Sequence, residues 1–159
     1  MKAFFDNKKA YFDYEILEKF EAGIVLIGQE VKSIKLDRIN LSGAYVVLRG
    51  GEVYLVNASV PPYQPKNLQI DYDPTRPRKL LLRKSEIKYL IGKSEEKRLT
   101  LIPLRVYANK GKIKLEFATA RGRKKANKKE LIKKRETKRE IERELKLRGL
   151  IYSMESGLK

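Results

Sequence analysis

AYVVLRGGEVYLVNA, residues 44–58, sets two alternating runs of β-branched and aromatic residues on either side of Gly50-Gly51. A two-residue hairpin turn needs positive φ at both central positions, and a glycine pair supplies it without steric cost. The stretch therefore predicts an antiparallel hairpin. Outward from it, LTLIPLRVYANKGKIKLEFATA, residues 99–120, predicts a second hairpin turning at Asn109-Lys110-Gly111. Pro103 lacks an N–H for the ladder, which predicts an edge or a bulge there. YFDYEILEKFEAGIVLIG, residues 11–28, places Phe12, Tyr14, Ile16 and Phe20 on one face with charged residues between them. That is the pattern of a half-buried strand, and Gly23 predicts a bend or bulge within it.

Two helical patterns fall between these strands. EVKSIKL, residues 30–36, spaces Val31 and Ile34 for a short helix after Gly28. KSEIKYLIGK, residues 84–93, puts Ile87, Leu90 and Ile91 on one face, with Ser85 as a candidate N-cap. Residues 61–79 hold five of the six prolines, which predicts a long loop. The chain has no internal repeat. The sum is a mainly β fold: a small, closed or nearly closed antiparallel β-barrel with two or three flanking helices.

Charge divides the 159 residues unevenly. Residues 1–120 carry 22 basic and 14 acidic side chains, whereas residues 121–135 alone carry nine basic and one acidic, so each segment has net +8. We therefore expect a barrel body over 1–120 and a basic tail over 121–159. A solvated helix face suits residues 136–148, whose acids and bases nearly balance. It does not suit 121–135, where Glu130 faces nine cations and only Ala126, Leu131 and Ile132 are apolar. Such a segment stays mobile until a polyanion orders it. The total of +17 points to nucleic acid. An anionic membrane surface fits less well, because the segment has no apolar face to insert.

Other chemistry is narrowed by composition. The chain has no cysteine and no histidine, which removes ordinary zinc sites, thiol chemistry and histidine-based acid–base catalysis. Carboxylates are scattered singly; Asp71 and Asp73 lie in a proline-rich turn with no further acids at metal-ligand spacing. We expect neither catalysis, metal nor cofactor. No apolar run reaches the length of a signal peptide or membrane span, and we expect a soluble, cytoplasmic monomer. Tyr11, Tyr14, Tyr63 and Tyr72 lie near basic residues and are candidates for stacking on bases, with packing in the barrel as the alternative, favoured for Tyr14. Lys112 and Lys114 alternate with Ile113 and Leu115 and so project together from the opposite sheet face, where they can track phosphates.

NKKAYFDYEILEKFEAGIVLIGQEVKSIK (residues 7–35), DPTRPRKLLLRKSEI (73–87) and ARGRKK…KREIER (120–143) together resemble, in order and spacing, the small protein B family, the tmRNA-binding proteins of bacterial trans-translation. The resemblance runs from about Asn7 to Lys146. It implies an oligonucleotide-binding-type (OB-like) β-barrel with flanking helices. It implies binding to the tRNA-like domain of tmRNA and delivery to stalled ribosomes. It also implies a tail that enters the decoding centre, against small-subunit rRNA, and the empty mRNA channel, becoming helical there. By motif, the implied tmRNA contacts are Asn7, Glu21, Leu81 and Lys114, with Lys112 beside them from the strand pattern. The implied decoding positions are Gly122, Lys124, Asn127, Lys128 and Lys129, set among Arg121, Arg123, Lys125, Lys133, Lys134 and Arg135.

The tail departs from the family pattern. Ala126-Asn127-Lys128-Lys129 stands where the family has an aromatic or histidine followed by Asp-Lys-Arg; Thr137 replaces a common Trp, and Tyr72 replaces a His. The stacking ring and the planar arginine fork are thereby lost. From the residues alone, a basic ribosomal protein or general translation factor binding rRNA or tRNA on the same kind of barrel is the alternative.

Overall fold

The structure, a computed structural model, describes residues 2–64, 72–96, 98–123, 129, 132–144 and 146. Among the described residues there are seven antiparallel strands, of which six close in a ring and the first pairs with the sixth alone. They are β1 (Lys2–Asp6), β2 (Tyr14–Ile24), β3 (Tyr45–Arg49), β4 (Glu52–Val56), β5 (Arg78–Leu81), β6 (Leu99–Asn109) and β7 (Lys112–Gly122). The strand order is β1-β6-β3-β4-β5-β2-β7, and β6 also pairs with β7, which completes the barrel. Helices α1 (Lys8–Asp13), α2 (Gly28–Lys35) and α3 (Lys84–Ser94) are inserted between strands. Met1–Gly122 is one compact unit and Arg123–Lys159 another; within the second, residues 132–144 form helix α4.

Both hairpins stand where the turn residues place them. Gly50 and Gly51 have φ of 59° and 76°, and Arg49 faces Glu52 across the turn. Lys110 and Gly111 have φ of 51° and 76° between Asn109 and Lys112. Pro103 lies at a register shift between β6 and β7, as its missing N–H requires. The alternation of β7 is real: Leu115 and Phe117 are fully buried in the main core with Ile113 against it, while Lys112 is exposed on the other face. Phe117 stacks on Phe20 of β2 at 5.5 Å between ring centroids. Full burial of such a ring contributes about 2–3 kcal/mol. Farther along, Ala118 and Ala120 join Ile102, Leu104 and Ala10 in a second cluster, and α1 supplies Ala10.

Several expectations need correction. Tyr11, Phe12 and Asp13 belong to α1, and the strand starts at Tyr14. Six residues are too few for periodicity to distinguish helix from strand, and Ala10 docking on β6 and β7 decides it. Gly23 is not the bulge in β2; the register shifts between Ile16 and Glu18. Gly23 instead faces both Leu81 of β5 and Lys114 of β7, and a Cβ there would stand 3.4 Å from the Cβ of Leu81. The N-cap of α3 is Arg83, whose N–H donates to Glu86 Oε1 at 3.3 Å, and Ser85 lies inside the first turn. The proline-rich loop ends earlier than residue 79, because Arg78 and Lys79 are in β5. Residues 65–71 of that loop, Asp71 included, lie outside the described residues.

β5 is anchored by a buried ion pair. Arg78 and Glu30 of α2 are both wholly buried, with Arg78 Nη2 at 2.6 Å and Nε at 2.7 Å from Glu30 Oε2. Arg78 also donates to the carbonyls of Ala58 (2.7 Å) and Pro74 (2.9 Å). Arg76 donates to Glu30 through Nε (3.1 Å) and Nη2, and the N–H of Ile27 donates to Glu30 Oε1 at 3.0 Å. Burial pushes the Glu30 carboxyl up. The hydrogen bonds from Arg76 and Ile27 and the charge of Arg78 outweigh it, holding the group below its ordinary value. Tyr72, with its hydroxyl donating to Val60 O at 2.6 Å, closes the cluster. This knot fixes the end of the proline-rich loop and hence β5, whose residues alternate buried and exposed so that Leu81 faces out.

Candidate nucleic-acid interface

Three strands distant in sequence meet at Gly23. Its neighbours Leu81 and Lys114, with Glu21 two residues away on β2, line a groove of about 720 Å³ that Arg83 and Ser85 close at the start of α3. Leu81 is 55 % exposed, an apolar side chain held out of the core by the alternation of β5. The missing side chain at Gly23 leaves the space beside it to Leu81. Lys112 stands in an adjoining groove that shares Gly23, Leu81 and Lys114. Glu21, Leu81, Lys112 and Lys114 are thus brought together.

Glu21 is held by a residue the sequence did not single out. The buried Tyr107 of β6, opposite Lys114 on β7, donates its hydroxyl to Glu21 Oε2. Burial, reinforced by this hydrogen bond, pushes the Tyr107 phenol well above its ordinary value, so it remains a donor. Arg105 lies 4.9 Å from the centre of the Tyr107 ring and donates to Glu116 at 3.2 Å; Lys19 reaches the same carboxylate at 3.7 Å. A fixed, exposed carboxylate accepts from base or ribose donors and repels phosphate, whereas lysines beside it attract phosphate. The groove therefore carries both halves of an RNA contact. Cross-strand contacts of this kind leave no mark on strand periodicity, so nothing in the sequence pattern marks Tyr107.

Asn7 is elsewhere. It is buried at the end of β1, where its Nδ2 donates to Pro103 O at 2.9 Å and its backbone N–H to Leu104 O at 2.7 Å. It lines a separate hollow of about 280 Å³ with Tyr14, Tyr45 and Thr100. Of the candidate stacking rings, Tyr14 packs against the second cluster, and Tyr72 is engaged by Val60. Tyr63 lies under Lys32 at 5.5 Å, and Tyr11 under Lys19 at 5.6 Å.

The expected tail positions fall into three groups. Arg121 and Gly122 are the last residues of β7, facing Glu15 and Tyr14 of β2, and Arg121 reaches Glu96 at 3.9 Å. The strand therefore runs two residues past 120. Arg123 follows it; Lys124, Lys125, Asn127 and Lys128 lie outside the described residues. Lys129 is exposed, as are Lys133, Lys134 and Arg135 on α4. Every residue of 132–144 is exposed, and Thr137 donates back to Lys133 O at 2.9 Å. Among the described residues no helix is long and apolar enough to cross a membrane, and no group of three acidic residues is placed to hold a metal ion.

Fold and groove define a small, basic antiparallel barrel of OB-like type. The family model described as SmpB protein matches residues 4–147. The chain is 51 % identical over 140 residues to the SsrA-binding protein of Sulfurihydrogenibium sp. (strain YO3AOP1), covering 88 % of this chain and 91 % of the relative. It is 52 % identical over 137 residues to the SsrA-binding protein of Syntrophobacter fumaroxidans (strain DSM 10017 / MPOB), covering 86 % and 84 %. Among solved structures it resembles a chain described under "tmRNA-SmpB: a journey to the center of the bacterial ribosome". The TM-score is 0.63 and the identity 45 %, with 76 % of this chain and 85 % of that one covered. The chain belongs to the SmpB family.

Proposed function

We propose that this chain binds tmRNA and delivers it to stalled ribosomes in trans-translation. The barrel grips the tRNA-like domain through the Glu21–Leu81–Lys114 groove, and the basic tail enters the decoding centre and vacant mRNA channel. It works in the cytoplasm as a binding adaptor with no catalytic step of its own. The observation that carries the reading is the convergence of Glu21, Leu81 and Lys114 from three strands on one exposed groove. Membership of the SmpB family, relatives that are SsrA-binding proteins, and the likeness to a tmRNA-SmpB chain support the same partner.

The test is filter binding with tmRNA and with an elongator tRNA at fixed salt. Loss of charged hydrogen bonds predicts that Glu21→Ala with Lys114→Ala weakens tmRNA binding about 10- to 100-fold with the fold retained, at a melting temperature lowered only by the lost Tyr107 bond. Unaltered affinity, or equal affinity for the elongator tRNA, overturns the assignment.

A further inference from the structure

Beside the Glu21 groove lies a second hollow of about 390 Å³. Ile24, Leu26, Val31 and Ile113 give it an aliphatic floor, and Lys35 and Lys112 stand on its rim. Ile24, Leu26 and Ile113 pack against the main core, so the floor is fixed. Lys35 ends α2, and Lys112 opens β7 just after the Lys110-Gly111 turn. Among the described residues, Lys35, Lys112 and Lys114 have no carboxylate within 4.0 Å, whereas Lys19, Lys79 and Lys93 each do.

We infer that this hollow is a subsite for one unpaired nucleotide of the bound RNA, its base on the aliphatic floor and its flanking phosphates on Lys35 and Lys112. The inference rests on the RNA-binding reading above and extends it to α2, which that reading leaves unused. An apolar floor alone fits many ligands. Unpaired cations around it select one that is flat, apolar on its faces and negatively charged at its edges. A splayed nucleotide is such a ligand, and apolar side chains commonly pack against bases taken out of a stack. Continuity supports the same occupant, because Gly23, Leu81 and Lys114 line both grooves. The volume lies within the ~300–1,000 Å³ of small-ligand clefts. Among the described residues the lining contains no carboxylate and no amide side chain. The subsite therefore takes any base without reading its edge.

The chain has no cysteine, so Lys35→Cys and, in a second protein, Ser85→Cys each give a unique attachment point for a photo-crosslinker. Ser85 lines the Glu21 groove only. With saturating tmRNA, the Lys35→Cys probe is expected to crosslink to one unpaired nucleotide, and the Ser85→Cys probe to a neighbouring one. Lys35→Gln is expected to weaken binding about tenfold and to reduce the slope of log K against log salt by about 0.7–0.9, one phosphate's share. Lys2→Gln on β1 is expected to do neither. Crosslinks from Lys35→Cys into paired stem, or an unchanged slope and affinity for Lys35→Gln, overturn the subsite while a Ser85→Cys crosslink keeps the wider reading. Protection of the Lys35→Cys probe by an acidic peptide but not by tmRNA overturns it too. Failure of both probes removes the subsite and the RNA groove together.

Discussion

Replacing Glu30 by glutamine keeps the shape of the side chain and removes one charge. The Arg78 guanidinium beside it is then a wholly buried cation without a counter-charge, and the glutamine amide turns donors toward arginines that are themselves only donors. Breaking a buried ion pair from one side costs about 3–5 kcal/mol. With a urea m-value of about 2 kcal/mol/M for a body of this size, the unfolding midpoint falls by about 1.5–2.5 M. The pH dependence has a definite sign. Glu30 in the folded state lies below its ordinary value of 4.5. Its contribution is therefore complete above that value and is lost as pH falls through the folded pKa. The gap between wild type and Glu30→Gln should stay constant from neutral pH down to about 4.5 and narrow below it. Urea unfolding of the two proteins between pH 3 and 7 measures this, with Glu52→Gln as the comparison, since its pair with Lys79 is exposed and should leave the midpoint unmoved. A loss under about 1 kcal/mol, the range of surface pairs, would refute the reasoning.

Tyr107→Phe should lower tmRNA affinity several-fold with little change in melting temperature, because it releases the Glu21 carboxylate without emptying the core. Equal loss of both quantities would make Tyr107 a packing residue only. Gly51→Ala places a side chain at φ 76° and should cost about 1–2 kcal/mol in thermal unfolding, although a Cβ there meets nothing within 4 Å. Deleting residues 123–159 should leave the melting transition and most of the tmRNA affinity, and abolish peptide tagging on stalled ribosomes in a reconstituted translation assay. Normal tagging by the truncated protein would disconnect the tail from its proposed role.

Local chemistry explains what was legible beforehand. Gly50-Gly51 and Lys110-Gly111 declare their turns because few residues tolerate positive φ. The alternation of residues 112–117 declares two faces because one of them is buried. β1, β5 and the Tyr11–Asp13 segment were not legible, because each is short and takes its conformation from a distant partner. β1 pairs with β6, β5 with β4 and β2, and Ala10 packs against β6 and β7. The Glu30–Arg78 pair joins residues 48 apart that look like surface charges in the sequence. Leu81 and Lys114 could be named by family motif, but only the register at Gly23 shows them beside Glu21.

The ring closes through its last strand: β2 meets β5 only at Gly23 and Ile24, and the rest of its length, from Tyr14 opposite Gly122, is paired only once β7 exists. A ribosome adding about 5–20 residues per second leaves β2 waiting about 5–20 s for that partner. Pairing across so long a loop is slow afterwards as well. A copy whose synthesis halts before β7 is an unfinished sheet with a bare edge, prone to stick to its neighbours. Interrupted translation therefore leaves this protein without its closing strand.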